Sequence, residues 1–117
     1  LGCAQIDKLD DFLARKRTLF EIYEEEFKNS ELVDLFKEPT NASSNHWLNS
    51  VLIKKEYASY CDFILQAACE SGIQCRPAWT LMSELPMFED CPKASLKNAE
   101  EITSRLINIP SSPGLVK

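Results

Sequence analysis

A chain of 117 residues, 44% hydrophobic and 26% charged, has the make-up of one globular domain of soluble type. Its net charge of −5, with no clustered basic stripe, argues against binding nucleic-acid phosphates, and no apolar run approaches the ~20 residues of a membrane span. Five cysteines without a Cys-x-x-Cys spacing, beside a single histidine, argue against a disulfide scaffold or a zinc site and fit the reduced thiols of a cytoplasmic protein.

Residues 3 to 28 read as one long helix. Leu9, Phe12, Leu13, Phe20, Tyr23 and Phe27 recur at three- and four-residue steps, and Lys16 alone breaks the apolar stripe. Such a helix is long for so small a domain, so one end is expected to overhang. Leu1, Gly2 and Cys3 offer no cap, so the chain is expected to begin inside a helix, as a cut fragment would. Residues 31 to 44 read as a polar connector with an apolar island at Leu32, Val33, Leu35 and Phe36. Trp47 to Ile53 reads as a strand with Trp47, Val51 and Ile53 on one face and Leu48 and Leu52 on the other. Apolar residues on both faces predict a central strand covered on both sides.

Tyr57, Tyr60, Cys61, Ile64, Leu65 and Ala68 form the next helical stripe, and Gly72 supplies the left-handed residue that stops it. Ile73 and Cys75 alternate with Gln74 and Arg76 as a short strand would, and Pro77 marks its end or an edge position. An irregular loop follows, crowded with Trp79, Leu81, Met82, Leu85, Met87 and Phe88. Ser95 is a candidate N-cap for a third helix carrying Leu96, Ala99, Ile102 and Leu106 inward. Residues 106 to 109 predict a last strand, ended by Pro110. The expected fold is α+β: a small, largely antiparallel sheet of about three strands, with helices mainly on one face.

No catalytic apparatus is visible in the chain itself. Its three glycines form no phosphate loop. His46, beside Trp47, reads as structural rather than as a general base, and Glu24, Glu25 and Glu26 fan around their helix as a solvated face. Cys75 beside Arg76 has the setting for a lowered thiol pKa, but with no second catalytic partner, burial is the better reading. The functional candidates are Arg76, whose donor fork suits phosphate or carboxylate, and Trp79, whose face suits a base or sugar. Against these stand a strand-end ion pair for Arg76 and a core anchor for Trp79.

Three ordered blocks also carry a resemblance: the opening LGCAQIDKLDDFLARKRTLFEIY, then GIQCRPAWTLMSELPMFEDCP from Gly72 to Pro92, then SRLINIPSSP from Ser104 to Pro113. Together they resemble the C-terminal part of the DegT-type sugar aminotransferases, pyridoxal-phosphate enzymes that convert a keto group on a nucleotide-linked sugar to an amine. The RPAWTLM and LPM segments resemble members of nonulosonic-acid, legionaminic-type pathways. The resemblance implies a single small domain of a fold-type-I aminotransferase over residues 1–117. The Schiff-base lysine, the acid facing the pyridine nitrogen and most phosphate contacts would lie in a large domain that is absent.

It follows that the full-length enzyme would use pyridoxal phosphate, while none is expected on this chain alone, which would not be catalytic by itself. The implied partners are the large domain, a nucleotide-sugar substrate and further copies of the chain, with no nucleic acid or membrane. The resemblance also brings in Ser83: relatives commonly carry a histidine or another side-chain donor there, so substrate preference is expected to differ at that position. The competing reading is a stand-alone binding or interaction module that keeps the small-domain fold without transaminase chemistry.

Overall fold

The computed structural model describes residues 2–116. Helices α1 (Gly2–Ile6) and α2 (Leu9–Phe27) open the chain, followed by strands β1 (Val33–Leu35) and β2 (Asn49–Ile53). A 3₁₀ segment (Lys55–Tyr60) leads into α3 (Cys61–Glu70); β3 (Arg76–Pro77), α4 (Lys97–Thr103) and β4 (Leu106–Ile109) follow, with short 3₁₀ turns at Met82–Glu84, Pro86–Phe88 and Pro113–Leu115. The four strands form one antiparallel sheet in the order β1-β2-β4-β3.

The core lies on one face of this sheet. Cross-strand partners share a face, so the register Leu35↔Val51↔Ile107 sets one apolar row and Val33↔Ile53 the next. Phe20 of α2 and Cys61 of α3 pack onto these rows, with Tyr23, Phe27, Ile64, Leu65 and Cys75 around them. Ile53 and Ile107 are almost wholly buried, and each such side chain contributes about 1.5–3 kcal/mol. The expectation of helices mainly on one face therefore holds.

Several expectations need correction. The sheet has four strands, not about three: the island at Val33 and Leu35 is an edge strand, extended by Phe36 N donating to Ser50 O and Lys54 N to Leu32 O. The opening helix is broken at Asp7 and Lys8, and its N-terminal end carries exposed Ile6, Leu9 and Leu13, the expected overhang. The central strand starts at Asn49, so Trp47 lies outside it, and the buried position in register with Val51 and Ile53 is taken by Asn49. Its second face is mixed where an apolar one was expected: the register Ser50↔Asn108↔Arg76 lays a hydrophilic row across it, beside Asp34↔Leu52↔Leu106, whose leucines are half-buried.

Ile73 and Cys75 precede the third strand instead of forming it. Pro77 sits inside the pair with β4, which a residue without an N–H tolerates because β3 is an edge strand. Ser95 does not cap α4; the residue before that helix is Leu96, with no side-chain cap.

Candidate functional site

The face of the sheet that carries Ser50, Asn108 and Arg76 ends in a cleft of about 310 Å³ lined by Leu48, Arg76, Pro77, Ala78, Trp79, Thr80 and Asn108. Antiparallel pairing places Arg76 opposite Asn108, and a short chain of polar contacts fixes that edge. Ser50 Oγ donates to Asn108 Oδ1 (2.8 Å), and Asn108 Nδ2 donates to the Pro77 carbonyl (3.1 Å). Asn108 is buried while Arg76 is exposed, and among the described residues Arg76 makes no salt bridge. A guanidinium in that state keeps its donor fork available to an incoming anion.

Trp79 lines the same cleft and is 69% exposed, so it is not a core anchor. Its ring meets that of Trp47 at a centroid distance of 6.2 Å and a tilt of 33°. Ser83 is not brought to this site. It lines a separate hollow of about 200 Å³ with Met82, Phe88, Cys91, Pro92 and Lys93.

The segment that carries Trp47 is heavily braced. Lys16, the one residue out of character in the apolar stripe of α2, donates from Nζ to the carbonyls of His46 (3.0 Å), Trp47 (3.3 Å) and Ser111 (2.6 Å). An ammonium has three donors, and all three are used. Its pKa is lowered by partial burial. Ser44 Oγ accepts from His46 N and Asn45 Oδ1 from Trp47 N, side-chain turns typical of these residue types. Arg17 donates to Glu38 Oε1 (2.7 Å) and to the Ser44 carbonyl (3.2 Å), and Ser44 N donates to the same Glu38 carboxylate. These bonds, with Arg17 foremost, hold the Glu38 pKa below its ordinary value.

His46 is only 4% exposed, with its ring 4.4 Å from that of Phe20 and its backbone at φ +46°. A left-handed backbone is uncommon outside glycine, although histidine, asparagine and aspartate adopt it more readily than most. Burial lowers the imidazole pKa, and the nearby Arg17 adds to this. Among the described residues, neither His46 Nε2 nor the side-chain amide of Asn49, 2% exposed, has a hydrogen-bond partner. His46 is thus a structural residue in a packed setting. Burial also raises the Cys75 thiol pKa, the opposite of what a reactive thiolate beside Arg76 would require.

Sequence reasoning singled out Arg76 and Trp79 but missed Trp47, Lys16 and Asn108 as parts of the same region. The one signal in the chain was Lys16 itself, a cation in an otherwise apolar stripe. Lys16 is spent on three carbonyls and Lys54 on the Ser30 carbonyl, while Lys28, Lys37 and Lys55 pair with exposed carboxylates. No glycine-rich turn is available to cradle a phosphate. No described helix is long and apolar enough to cross a membrane.

Comparison with known proteins fits this picture. The chain is 28% identical over 116 residues to GDP-perosamine synthase of Vibrio cholerae, covering 98% of this chain and 31% of that protein. It is 30% identical over 116 residues to GDP-perosamine synthase of Escherichia coli O157:H7, covering 98% and 30%. Its fold superimposes on Helicobacter pylori PseC, an aminotransferase involved in the biosynthesis of pseudoaminic acid, with a TM-score of 0.88 at 18% identity, over 97% of this chain and 31% of that one. The chain thus spans about a third of the length of these relatives and corresponds to their C-terminal portion. With residues 1–117 matching the profile of the DegT/DnrJ/EryC1/StrS aminotransferases throughout, the chain belongs to that family.

Proposed function

We propose that residues 1–117 are the small domain of a cytoplasmic nucleotide-sugar aminotransferase, with a large domain supplying the pyridoxal phosphate, its lysine and the chemistry. In this reading the whole enzyme transfers an amino group from glutamate to a keto-sugar carried on a nucleotide, in a nonulosonic-acid type of pathway. The small domain contributes one wall of the substrate cleft. Arg76 pairs with the diphosphate or a sugar hydroxyl, Trp79 offers its face to the same ligand, and Ser83 belongs to a neighbouring wall. The observation that carries this is the Arg76 guanidinium, without a salt bridge among the described residues, beside exposed Trp79 on the face of the sheet opposite the core.

Arg76→Ala in the complete enzyme tests it. A charge-assisted hydrogen bond lost from a binding site costs about 1.5–3 kcal/mol, and each 1.4 kcal/mol is a factor of ten. The Michaelis constant for the sugar nucleotide is therefore expected to rise roughly ten- to a hundred-fold, with the fold and the cofactor's absorbance unchanged. A variant that loses thermal stability while its substrate constant stays put would show Arg76 to be structural.

A further inference from the structure

We infer that Trp47 and Trp79 together form a stacking ledge for the base of a nucleoside diphosphate, with Arg76 meeting its phosphates. The inference rests on the reading above for the ligand class and deepens it by assigning the base to a specific wall and by adding Trp47 to the site. Large aromatic side chains gain most from burial, yet both tryptophans are about two-thirds exposed (67% and 69%) and lean on each other.

The backbone beneath Trp47 is not that of a loose loop. Lys16 grips its carbonyl and the one before it, Asn45 Oδ1 accepts from its N–H, and buried His46 takes a left-handed conformation against Phe20. Ser111 Oγ, accepting from Asn49 N at 2.7 Å, pins the backbone two residues on. A strained, doubly clamped backbone that presents an exposed ring is the arrangement expected of a preorganised contact surface. The flat faces match a heterocycle, which stacks well on an aromatic ring whatever its edge pattern. Arg76, on the same cleft as Trp79 and without a salt bridge among the described residues, matches the anionic end. Lys16 acts here as a positioning residue, through the carbonyls that it holds.

The chain contains two tryptophans, both in the ledge, so its tryptophan emission, excited selectively over the three tyrosines, reports on this ledge. The probes are UDP, GDP and inorganic pyrophosphate, titrated into the protein without cofactor or amine donor. Both nucleotides are expected to quench the emission saturably, with pyrophosphate at least ten-fold weaker, as the loss of one base–aromatic stack would give. Trp47→Leu is expected to weaken UDP and GDP binding about ten-fold while leaving pyrophosphate unchanged, and Trp47→Phe to restore most of the loss. Circular dichroism of both variants checks that they fold.

Absence of quenching at millimolar nucleotide, or equal binding of pyrophosphate and nucleotides, would overturn the inference, as would unaltered nucleotide affinity in folded Trp47→Leu. The assay needs no turnover. Nucleotide binding that depends on Trp47, in a complete protein without transaminase activity, would sink the enzyme reading alone. Transaminase activity that is indifferent to Trp47 would sink the ledge alone.

Discussion

At the scale of single residues, His46 makes folding sensitive to mild acid. Its imidazole is buried against Phe20, and burial first, then the positive charges of Arg17 and Lys16, lowers its pKa below the ordinary 6.5; the negative charge of Glu38 opposes this but does not reverse it. Between the folded value and 6.5 the unfolded chain binds more protons than the folded one, so stability rises with pH across that window and falls on acidification. The carboxylates act lower down. Glu38 and Glu101, held below their ordinary 4.5 by Arg17 and Arg105 respectively, stabilise the fold above that value and stop doing so as pH falls through their folded values. The two effects are therefore separable. His46→Asn keeps a residue tolerant of the left-handed backbone and removes the titrating ring. It is expected to cost about 1 kcal/mol at pH 7.5 through lost packing, and to flatten the melting temperature between pH 7 and 5. A variant that keeps the full slope there would place the titrating group elsewhere.

At the scale of elements, the end of α3 shows a local signal deciding structure. Ile73 N donates to Ala68 O (2.8 Å) and Gly72 N to Cys69 O (2.9 Å), with Gly72 at φ +76°, the paired bonds of a Schellman stop. A Cβ added at Gly72 would meet nothing within 4 Å, so only the backbone conformation resists substitution. Gly72→Ala is expected to cost about 1 kcal/mol and roughly 4 °C in melting temperature by calorimetry. An unchanged melting point would mean that the turn relaxes freely.

This stop and the Pro110 end of β4 were legible because their causes lie within a few residues. The edge strands β1 and β3 were not. Each is only two or three residues long, and its extent is decided by a partner strand distant in sequence. The break between α1 and α2 has no glycine or proline to announce it. Within the site, the chemistry of Arg76 and the flat face of Trp79 could be read from residue type. The Lys16 clamp could not, since one of its carbonyls lies 95 residues away.

At the scale of the whole molecule, the chain is more open than its length requires. Its radius of gyration is 16.6 Å, against about 13.4 Å for a compact domain of this size. It exposes 8997 Å², roughly 2,500 Å² more than size scaling gives for a compact monomer, an excess of the order buried in obligate interfaces, about 2,000–5,000 Å². Part of the apolar share lies at the cleft, in Trp79 and the neighbouring Trp47, and part farther along the same loop, in Met82 and Met87. Another part lies in a groove lined by Leu32, Tyr57, Tyr60, Phe63 and Ile64, and more is on the overhanging start of the helical segment at Ile6 and Leu9. Surfaces of this extent seldom stay bare in water. The chain on its own is therefore expected to form a dimer or a larger assembly through the opening helices or the sheet, and to bind a hydrophobic dye wherever the assembly leaves apolar surface open. Sedimentation velocity from a few to a few hundred micromolar should show the average mass rising with concentration. Ile6→Lys together with Leu9→Lys, at exposed positions that hold no core contact, should shift that equilibrium toward monomer if the helical overhang is the seam and leave it unmoved if the sheet is. A clean monomer at every concentration, with no dye bound, would refute the prediction and mean that the open surface is tolerated as it stands.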